Sequence, residues 1–354
     1  MDFLVLPGDG IGPEIVAVAV EALAVLDRRH ALGIRLHERD NGLSSLARTG
    51  TTLPDDIRAM ARQADGILLG PVSTDAYPSA AEGGINVSAW CRKELDLYAN
   101  IRPSRVRPGV PAAVDAMDLV IVRENTEGFY ADRNMALGSG EFKPTDDVAL
   151  AVGKATTQGC RRIAVAAFEL ARRRRRHVTA VHKANVLRIF SGMFLDQAAS
   201  VAREYPDVTF DTAIVDAMAA LLVRRPASFD VVVTTNMFGD ILSDEAAELS
   251  GGLGLAASLN VGDRHAVAQA AHGSAPDIAG QDRANPVAFL ESVAMLLLHL
   301  GARAGGSACA DAGAHLRSAI DRLLAQPHTR TVDLGGPLGT RAFGAAVAAA
   351  LCAE

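Results

Sequence analysis

Short apolar, β-branched runs alternate with longer amphipathic stretches along almost the whole 354-residue chain. Strand-like runs cover residues 3–6, 34–38, 66–70, 119–123, 178–182, 208–215 and 231–234, and helical patterns cover 13–27, 54–64, 186–204, 239–249, 286–300, 311–324 and 340–351. This alternation predicts an α/β fold with much parallel sheet. The length suggests roughly two domains.

Composition excludes several classes of function. The formal charge of −6 lacks the basic surplus expected of a nucleic-acid-binding protein, and the five arginines at 172–176 indicate a solvated helix end. No apolar run reaches the ~18 residues of a membrane helix, and residues 3–6 follow no basic leader, so we expect neither membrane partner nor signal peptide. The scattered cysteines predict free thiols in the cytoplasm: Cys91, Cys160, Cys309 and Cys352.

A glycine-rich motif, Gly-Asp-Gly-Ile-Gly-Pro-Glu at residues 8–14, links the first predicted strand to the first predicted helix. Its spacing is one residue short of the dinucleotide-binding fingerprint G-x-G-x-x-G. Glu38 lies farther along than the usual acid that binds ribose. The motif is therefore either a tight turn or a variant dinucleotide site.

Two acidic residues, Asp240 and Asp244, lie one helical turn apart just after a predicted strand. Asp216, after another strand, could add a third carboxylate. Hard oxygen ligands of this kind suit Mg²⁺ or Mn²⁺. The alternative is a helix N-terminus that carries acids because they favour the helix dipole.

Three arginines, Arg92, Arg102 and Arg123, are candidate ligands for a substrate carboxylate, because an arginine at the end of a buried strand needs an anionic partner. The alternative is internal salt bridges to Asp96 or Glu124. Lys183, one of only four lysines, also lies at the end of a predicted strand. In the small-residue loop 272–280, Asp277 could accept hydrogen bonds from two ribose hydroxyls.

Together these segments resemble the β-decarboxylating dehydrogenases, which act on isocitrate, homoisocitrate, 3-isopropylmalate, or tartrate and D-malate. The matching segments, in order, are residues 8–14, 92–103, 122–130, 183–186, 236–244, 272–280, 284–286 and 333–336. The resemblance implies the fold of this family: two α/β domains that share a mixed sheet, with an arm for dimerisation. It implies a discontinuous nucleotide-binding domain, 1–97 plus 253–354, and a substrate, metal and dimerisation domain, 98–252. A polar, glycine-containing stretch at 134–145 could form the arm.

The resemblance implies NAD bound along the loop 272–280, and not on the glycine motif. Its predicted cofactor-binding residues are His272, Gly273, Ser274, Ala275, Asp277, Ile278 and Asn285. NADP enzymes of the isocitrate type carry Lys-Tyr where this chain has Asp277-Ile278, and an Asp would repel a 2′-phosphate. One departure is Gln269, where the family usually has Glu.

The implied reaction is oxidative decarboxylation of a hydroxy acid with a malate core. The three arginines would bind its carboxylates, and Asp240 and Asp244 would hold Mg²⁺ or Mn²⁺ together with the partner subunit's Asp216. The partner's Lys183 would help remove the hydroxyl proton, and Tyr130 would protonate the enolate left by CO₂. The minimum active unit would be a homodimer with shared sites.

The third substituent of the malate is the open question. Its predicted pocket contains Thr74, Asn86 and Ser88 beside Ile85 and Ala89. Asn185 is a further predicted substrate-binding residue. Because buried polar groups facing an isopropyl group would lack partners, we expect a polar or small substituent, as in isocitrate, homoisocitrate, D-malate or tartrate. The alternative is 3-isopropylmalate. A more distant alternative is a catalytically silent regulatory subunit.

Overall fold

The computed structural model describes residues 1–130, 132, 134–304 and 306–353, although nothing is described of the Ala304 side chain. Its strands are β1 (Asp2–Leu6), β2 (Arg35–Glu38), β3 (Gly66–Leu69), β4 (Ala99–Arg105), β5 (Asp118–Glu124), β6 (Glu141–Thr145), β7 (Val148–Ala151), β8 (His177–His182), β9 (Thr209–Ile214), β10 (Val231–Thr234), β11 (Leu259–Val261) and β12 (Ala266–Ala268).

The α-helices are α1 (Gly12–His30), α2 (Gly42–Thr49), α3 (Asp55–Ala61), α4 (Val87–Glu94), α5 (Thr157–Arg172), α6 (Phe190–Ala202), α7 (Val215–Arg224), α8 (Asn236–Ser250), α9 (Val287–Ala304), α10 (Ser307–Ala325) and α11 (Thr340–Cys352). The predicted strands are present, with bounds that agree to within one residue at each end. Helices α2 and α7 were not predicted, and of α5 only the end, at the arginines 172–176, was.

Ten strands form one mixed sheet in the order β2-β1-β3-β12-β11-β4-β5-β10-β8-β9. Strands β2, β1, β3 and β12 pair in parallel, and we call them the β1 half. Strands β5, β10, β8 and β9 also pair in parallel and form the β5 half. The antiparallel strands β11 and β4 join the two halves. The α/β fold with a shared mixed sheet is confirmed; the proposed domain boundaries stay a prediction.

Each half of the sheet packs helices on both faces, because its buried strands are apolar at odd and at even positions. In β1, Phe3 and Val5 join one core with α1 and α9–α11, while Leu4 and Leu6 join another with α3 and α4. The β5 half packs α5 and α6 on one face and α7 and α8 on the other. Each half is therefore a three-layer unit with helices on both faces of the sheet.

Strands β6 and β7 form a separate antiparallel hairpin. It overlaps the stretch for which an arm was predicted. Phe142 and Leu150, which pair across it, are 46% and 47% exposed, so the hairpin carries a partly exposed apolar surface. Among the described residues, no helix is both long and apolar enough to cross a membrane.

Candidate active site

The carboxyl ends of β5 and β10 bring the centre of the candidate site together. Thr234 of β10 lies beside Arg123 of β5 in the sheet, and α8 starts two residues later. A Cβ on Gly239 would lie 2.7 Å from the Cβ of Arg123, so glycine lets α8 lie directly over β5. This close approach places the acidic face of α8 on the strand that carries Arg123.

Arg123 is 2% exposed and is held on both sides by α8. Its Nε and Nη2 donate to Asn236 Oδ1 at 2.9 and 2.7 Å, and its Nη1 donates to Asp240. The Asn236 amide in turn donates to the Glu127 carbonyl at 2.9 Å. Asn236 therefore orients the guanidinium.

Arg102 on β4 reaches the same acids from the neighbouring strand. Its Nη1 donates to Asp244 at 3.0 Å and to the Ser243 hydroxyl at 2.8 Å, and its Nη2 lies 3.3 Å from Asp240. Asn100 accepts from its Nε at 2.6 Å. The two buried arginines and the two aspartates thus form one cluster.

Arg102 and Arg123 do make internal salt bridges, as the alternative expected, but the acids that they contact are Asp240 and Asp244. Asp96 pairs with Arg162 at 2.9 Å. Glu124 is buried and accepts backbone hydrogen bonds from Thr126 and Glu127 at 2.8 and 2.7 Å. Burial raises its pKa in spite of those bonds.

The two aspartates of the cluster differ in their electrostatics. Burial alone would raise the pKa of Asp240, but Arg123 and Arg102 outweigh it, so the pKa is lowered. Burial raises the pKa of Asp244, and the nearby Asp240 charge adds to that effect against the pull of Arg102. A metal cation bound between the two carboxylates would offset both the free-energy cost of burying their charges and the repulsion between them.

Tyr130 completes the cluster from the segment after β5. Its hydroxyl donates to Asp240 at 2.5 Å, and the guanidinium carbon of Arg123 lies 5.5 Å from its ring centroid. Burial raises the pKa of Tyr130, and the hydrogen bond to Asp240 raises it further. The phenol therefore keeps its proton at neutral pH and can donate it.

Helix α4 links this cluster to the segment after β12. Arg92 near its end is close enough to lower the pKa of both Asp240 and Tyr130. At its start, Asn86 is exposed and its side chain accepts from Ala89 N at 2.9 Å as the helix cap. Ser88 accepts a 2.7 Å hydrogen bond from the amide of Gln269, which is 8% exposed. Thr74 begins a 3₁₀ turn after β3.

Lys183 and Asp216 lie together but apart from the cluster. The Lys183 ammonium donates to Asp216 at 2.5 Å, and that hydrogen bond lowers the pKa of the carboxyl. Asn185 is exposed two residues later. Within the described part of the chain, no group of three or more His, Cys, Asp or Glu side chains is arranged to hold a metal. Asp240 and Asp244 thus fit a divalent cation as two oxygen ligands of an incomplete set.

The glycine motif packs on the predicted cofactor loop. A Cβ on Gly10, whose φ is +58°, would lie 2.0 Å from the Ser274 carbonyl, and Ile11 N donates to that carbonyl at 2.9 Å. Glu14 accepts from the backbone of Gly280, and from that of Asp282 at 3.2 Å. The motif is a tight turn whose contacts hold the loop.

The predicted cofactor residues, which we call the cofactor ledge, lie on the loop after β12 and just before α9. The Ser274 hydroxyl lies 2.7 Å from that of Ser73, and Asn285 donates to Asp333 at 2.9 Å. Gly273 and Asp277 are exposed, Ala275 and Ile278 pack on the core, and His272 contacts the Gly273 carbonyl at 2.9 Å. Burial lowers the pKa of His272, so its ring is neutral.

Three residues that hold the site together were not singled out as site residues from the sequence: Glu14, Asn236 and Ser243. Glu14 and Asn236 lie inside matched motifs, but their contacts reach 266 and 113 residues along the chain. No local pattern reports such contacts.

A cluster of buried arginines, paired acids and a protonated tyrosine is typical of enzymes that bind small polycarboxylates with a divalent cation. The model of the isocitrate/isopropylmalate dehydrogenase family matches residues 2–347. The chain therefore belongs to this family of dehydrogenases.

Proteins that carry different enzyme names match this chain over almost its whole length. A 3-isopropylmalate dehydrogenase of Methanothermobacter thermautotrophicus is 40% identical over 349 residues, 98% of each chain. An isocitrate/homoisocitrate dehydrogenase of Thermus thermophilus is 40% identical over 347 residues, 98% of this chain and 97% of the relative. The solved isocitrate dehydrogenase from Methylococcus capsulatus has a TM-score of 0.88 and 38% identity over 99% of each chain.

Proposed function

We propose that this dehydrogenase oxidises and decarboxylates a 3-substituted malate with NAD and Mg²⁺ or Mn²⁺, releasing a 2-oxo acid and CO₂. The observation that carries the proposal is the convergence of Arg102, Arg123 and Tyr130 on Asp240. Such a cluster binds carboxylates and holds a proton beside a site for a cation. An intact cluster argues against a silent regulatory subunit.

The protein's own groups divide the work. Arg92, Arg102 and Arg123 would bind the substrate carboxylates and orient the hydroxyl carbon toward the cofactor loop. The cation, held by Asp240 and Asp244, would supply Lewis acidity. Tyr130 holds a proton on its hydroxyl, 2.5 Å from Asp240, and would deliver it to the enolate carbon.

The cofactor loop supports NAD. Asp277 is exposed on the ledge, where a carboxylate can accept from two ribose hydroxyls and repels a 2′-phosphate. The neutral ring of His272 adds no positive charge that would attract that phosphate.

We propose a homodimer in which each site borrows Lys183 and Asp216 from the partner subunit. These two residues pair with each other and not with the acidic cluster of their own chain. Beside them Val186 and Ile189 are 66% and 86% exposed, and Ile241 on α8 is 61% exposed. An exposed apolar surface next to an incomplete site is typical of a contact with a second copy of the chain. A cytoplasmic location agrees with the four free cysteines.

For the substituent we propose the isopropyl group, which reverses the order expected from the sequence. That order assumed that Asn86 and Ser88 would be buried without partners. Instead Asn86 is exposed and caps α4, and Ser88 is paired with Gln269 at 2.7 Å. Several of the similar relatives are also named 3-isopropylmalate dehydrogenase.

A second candidate is isocitrate or homoisocitrate. Because the Ser88 oxygen accepts from Gln269, its own proton is free to donate to a substrate carboxylate. The Thermus thermophilus relative carries the corresponding name.

The test measures kcat/KM for 3-isopropylmalate, isocitrate, homoisocitrate, D-malate and tartrate with NAD and Mn²⁺. We expect 3-isopropylmalate to be highest. Ser88→Ala should leave its kcat/KM within about threefold, since no substrate hydrogen bond is lost. Preference for isocitrate or homoisocitrate, together with loss of that preference in Ser88→Ala, would establish the second candidate. No NADH from any substrate would refute the reaction class.

A further inference from the structure

A cavity of about 700 Å³ lies on the face of the sheet opposite the candidate active site. Ile101 and Arg105 of β4 line it, as does Val120 of β5. Neighbouring strand residues point to opposite faces, so Arg102 and Arg123 face away from it. We call this space the back cavity; the roles proposed above involve none of its lining residues.

Both halves of the molecule contribute its walls. Helix α5 of the β5 half supplies Val165 and Leu170, and α9 supplies Met295 and Leu298. The volume lies in the range of small-molecule sites, which are mostly apolar with a few placed polar groups. The apolar walls suit a hydrocarbon chain.

The charged lining favours an anion. Of the charged side chains that line the cavity, five are arginines and three are acids. The acids already have partners: Asp118 pairs with Arg174 at 2.8 Å, Glu291 with Arg107 at 2.7 Å, and Glu169 accepts from Tyr205 at 2.7 Å.

Two polar groups of the lining lack partners within the described residues. The Arg173 guanidinium makes no hydrogen bond or ion pair there, and the buried His299 Nε2 has no hydrogen-bond partner. Burial, together with the nearby charges of Arg303 and Arg173, lowers the pKa of His299 to about 4. At neutral pH the ring can therefore donate one N–H beside a guanidinium.

We propose that the back cavity binds a small monocarboxylate with an apolar chain, its carboxylate between Arg173 and His299. The apolar chain would lie between α5 and α9. Such a ligand could be a straight-chain fatty acid or a branched 2-oxo acid of the kind that the proposed reaction releases.

The test is calorimetric titration of the full chain with octanoate, without substrate, NAD or metal, so failure of the proposed reaction cannot affect it. We expect saturable binding, about tenfold weaker in Arg173→Ala, as loss of one charge-assisted hydrogen bond predicts. Arg176→Ala is the matched control, because Arg176 is an exposed arginine of the same run outside the cavity. It should leave the affinity within about twofold, as expected for a surface charge.

Octan-1-ol tests whether binding needs the carboxylate charge of the ligand. The acid 4-methyl-2-oxopentanoate tests whether the ligand is a branched 2-oxo acid. Octan-1-ol should bind about tenfold more weakly than octanoate, since it lacks the anion. Tighter binding of the 2-oxo acid would identify a product-like ligand, and tighter octanoate binding a fatty acid. Ala166→Phe, which fills the cavity from α5, should abolish the binding of octanoate and of the 2-oxo acid, while enzymatic turnover persists. Absence of saturable binding, or equal effects of Arg173→Ala and Arg176→Ala, would overturn the proposal.

Discussion

Glu14→Gln should weaken NAD binding although Glu14 lies outside the cofactor ledge. Its carboxylate accepts hydrogen bonds from the backbone of Gly280 and Asp282 and so holds the end of the loop on α1. The amide of Gln keeps one acceptor oxygen, loses the charge and places a donor beside an N–H. Part of the binding free energy of NAD would then be used to order the loop, and NAD would bind more weakly.

The magnitude follows from those contacts. Hydrogen bonds to a charged group contribute about 1.5–3 kcal/mol each. Glu14 is half-buried and one acceptor remains, so we expect a loss of about 1–1.4 kcal/mol, which is a five- to tenfold rise in KM for NAD. The substrate cluster lies on other elements, so kcat should change less than about twofold.

Steady-state kinetics with varied NAD at saturating hydroxy acid would measure both quantities. Glu21→Gln is the matched control, since Glu21 is an exposed acid on the same helix. If KM for NAD in Glu14→Gln stays within twofold of the wild-type value, or if kcat falls instead, the Glu14 carboxylate does not position the loop for NAD binding.

Three further predictions concern the same site. Asp240→Asn should abolish turnover and weaken Mn²⁺ binding, seen by titration, at least about tenfold, because a hard anionic ligand becomes neutral; unchanged Mn²⁺ affinity would exclude this ligand. Asp277→Lys should lower the ratio of kcat/KM for NAD to that for NADP about tenfold or more, since a charge that repels a 2′-phosphate becomes one that attracts it; an unaltered ratio would exclude Asp277 from ribose recognition. Mixed Lys183→Met and Tyr130→Phe subunits, each inactive alone, should regain partial activity after co-refolding, because one hybrid site keeps both groups; full inactivity of the mixture would argue against shared sites.

Local signals predicted the architecture well where they were strong. The buried strands such as β1 and β10 are short apolar runs bounded by polar residues or proline, and a run of this kind can be recognised without knowledge of its partners in space. Only the end of helix α5 was predicted, although Thr156 caps its start by accepting a hydrogen bond from Gly159 N at 3.0 Å. Its buried face repeats at helical spacing, but four of its seven buried residues are glycine or alanine, whose small side chains give a weak apolar signal.

The sequence by itself determined which chemical groups are present: the arginines, the acids one turn apart, Tyr130 and the glycine motif that allows a tight turn. Only the tertiary structure decided how they pair. Arg123 contacts Asp240, 117 residues away along the chain, and Gln269 contacts Ser88 across 181 residues, which removes the objection to an apolar substituent. The physical reason is that hydrogen bonds and burial depend on distances in space, which the sheet order sets and a local pattern does not report.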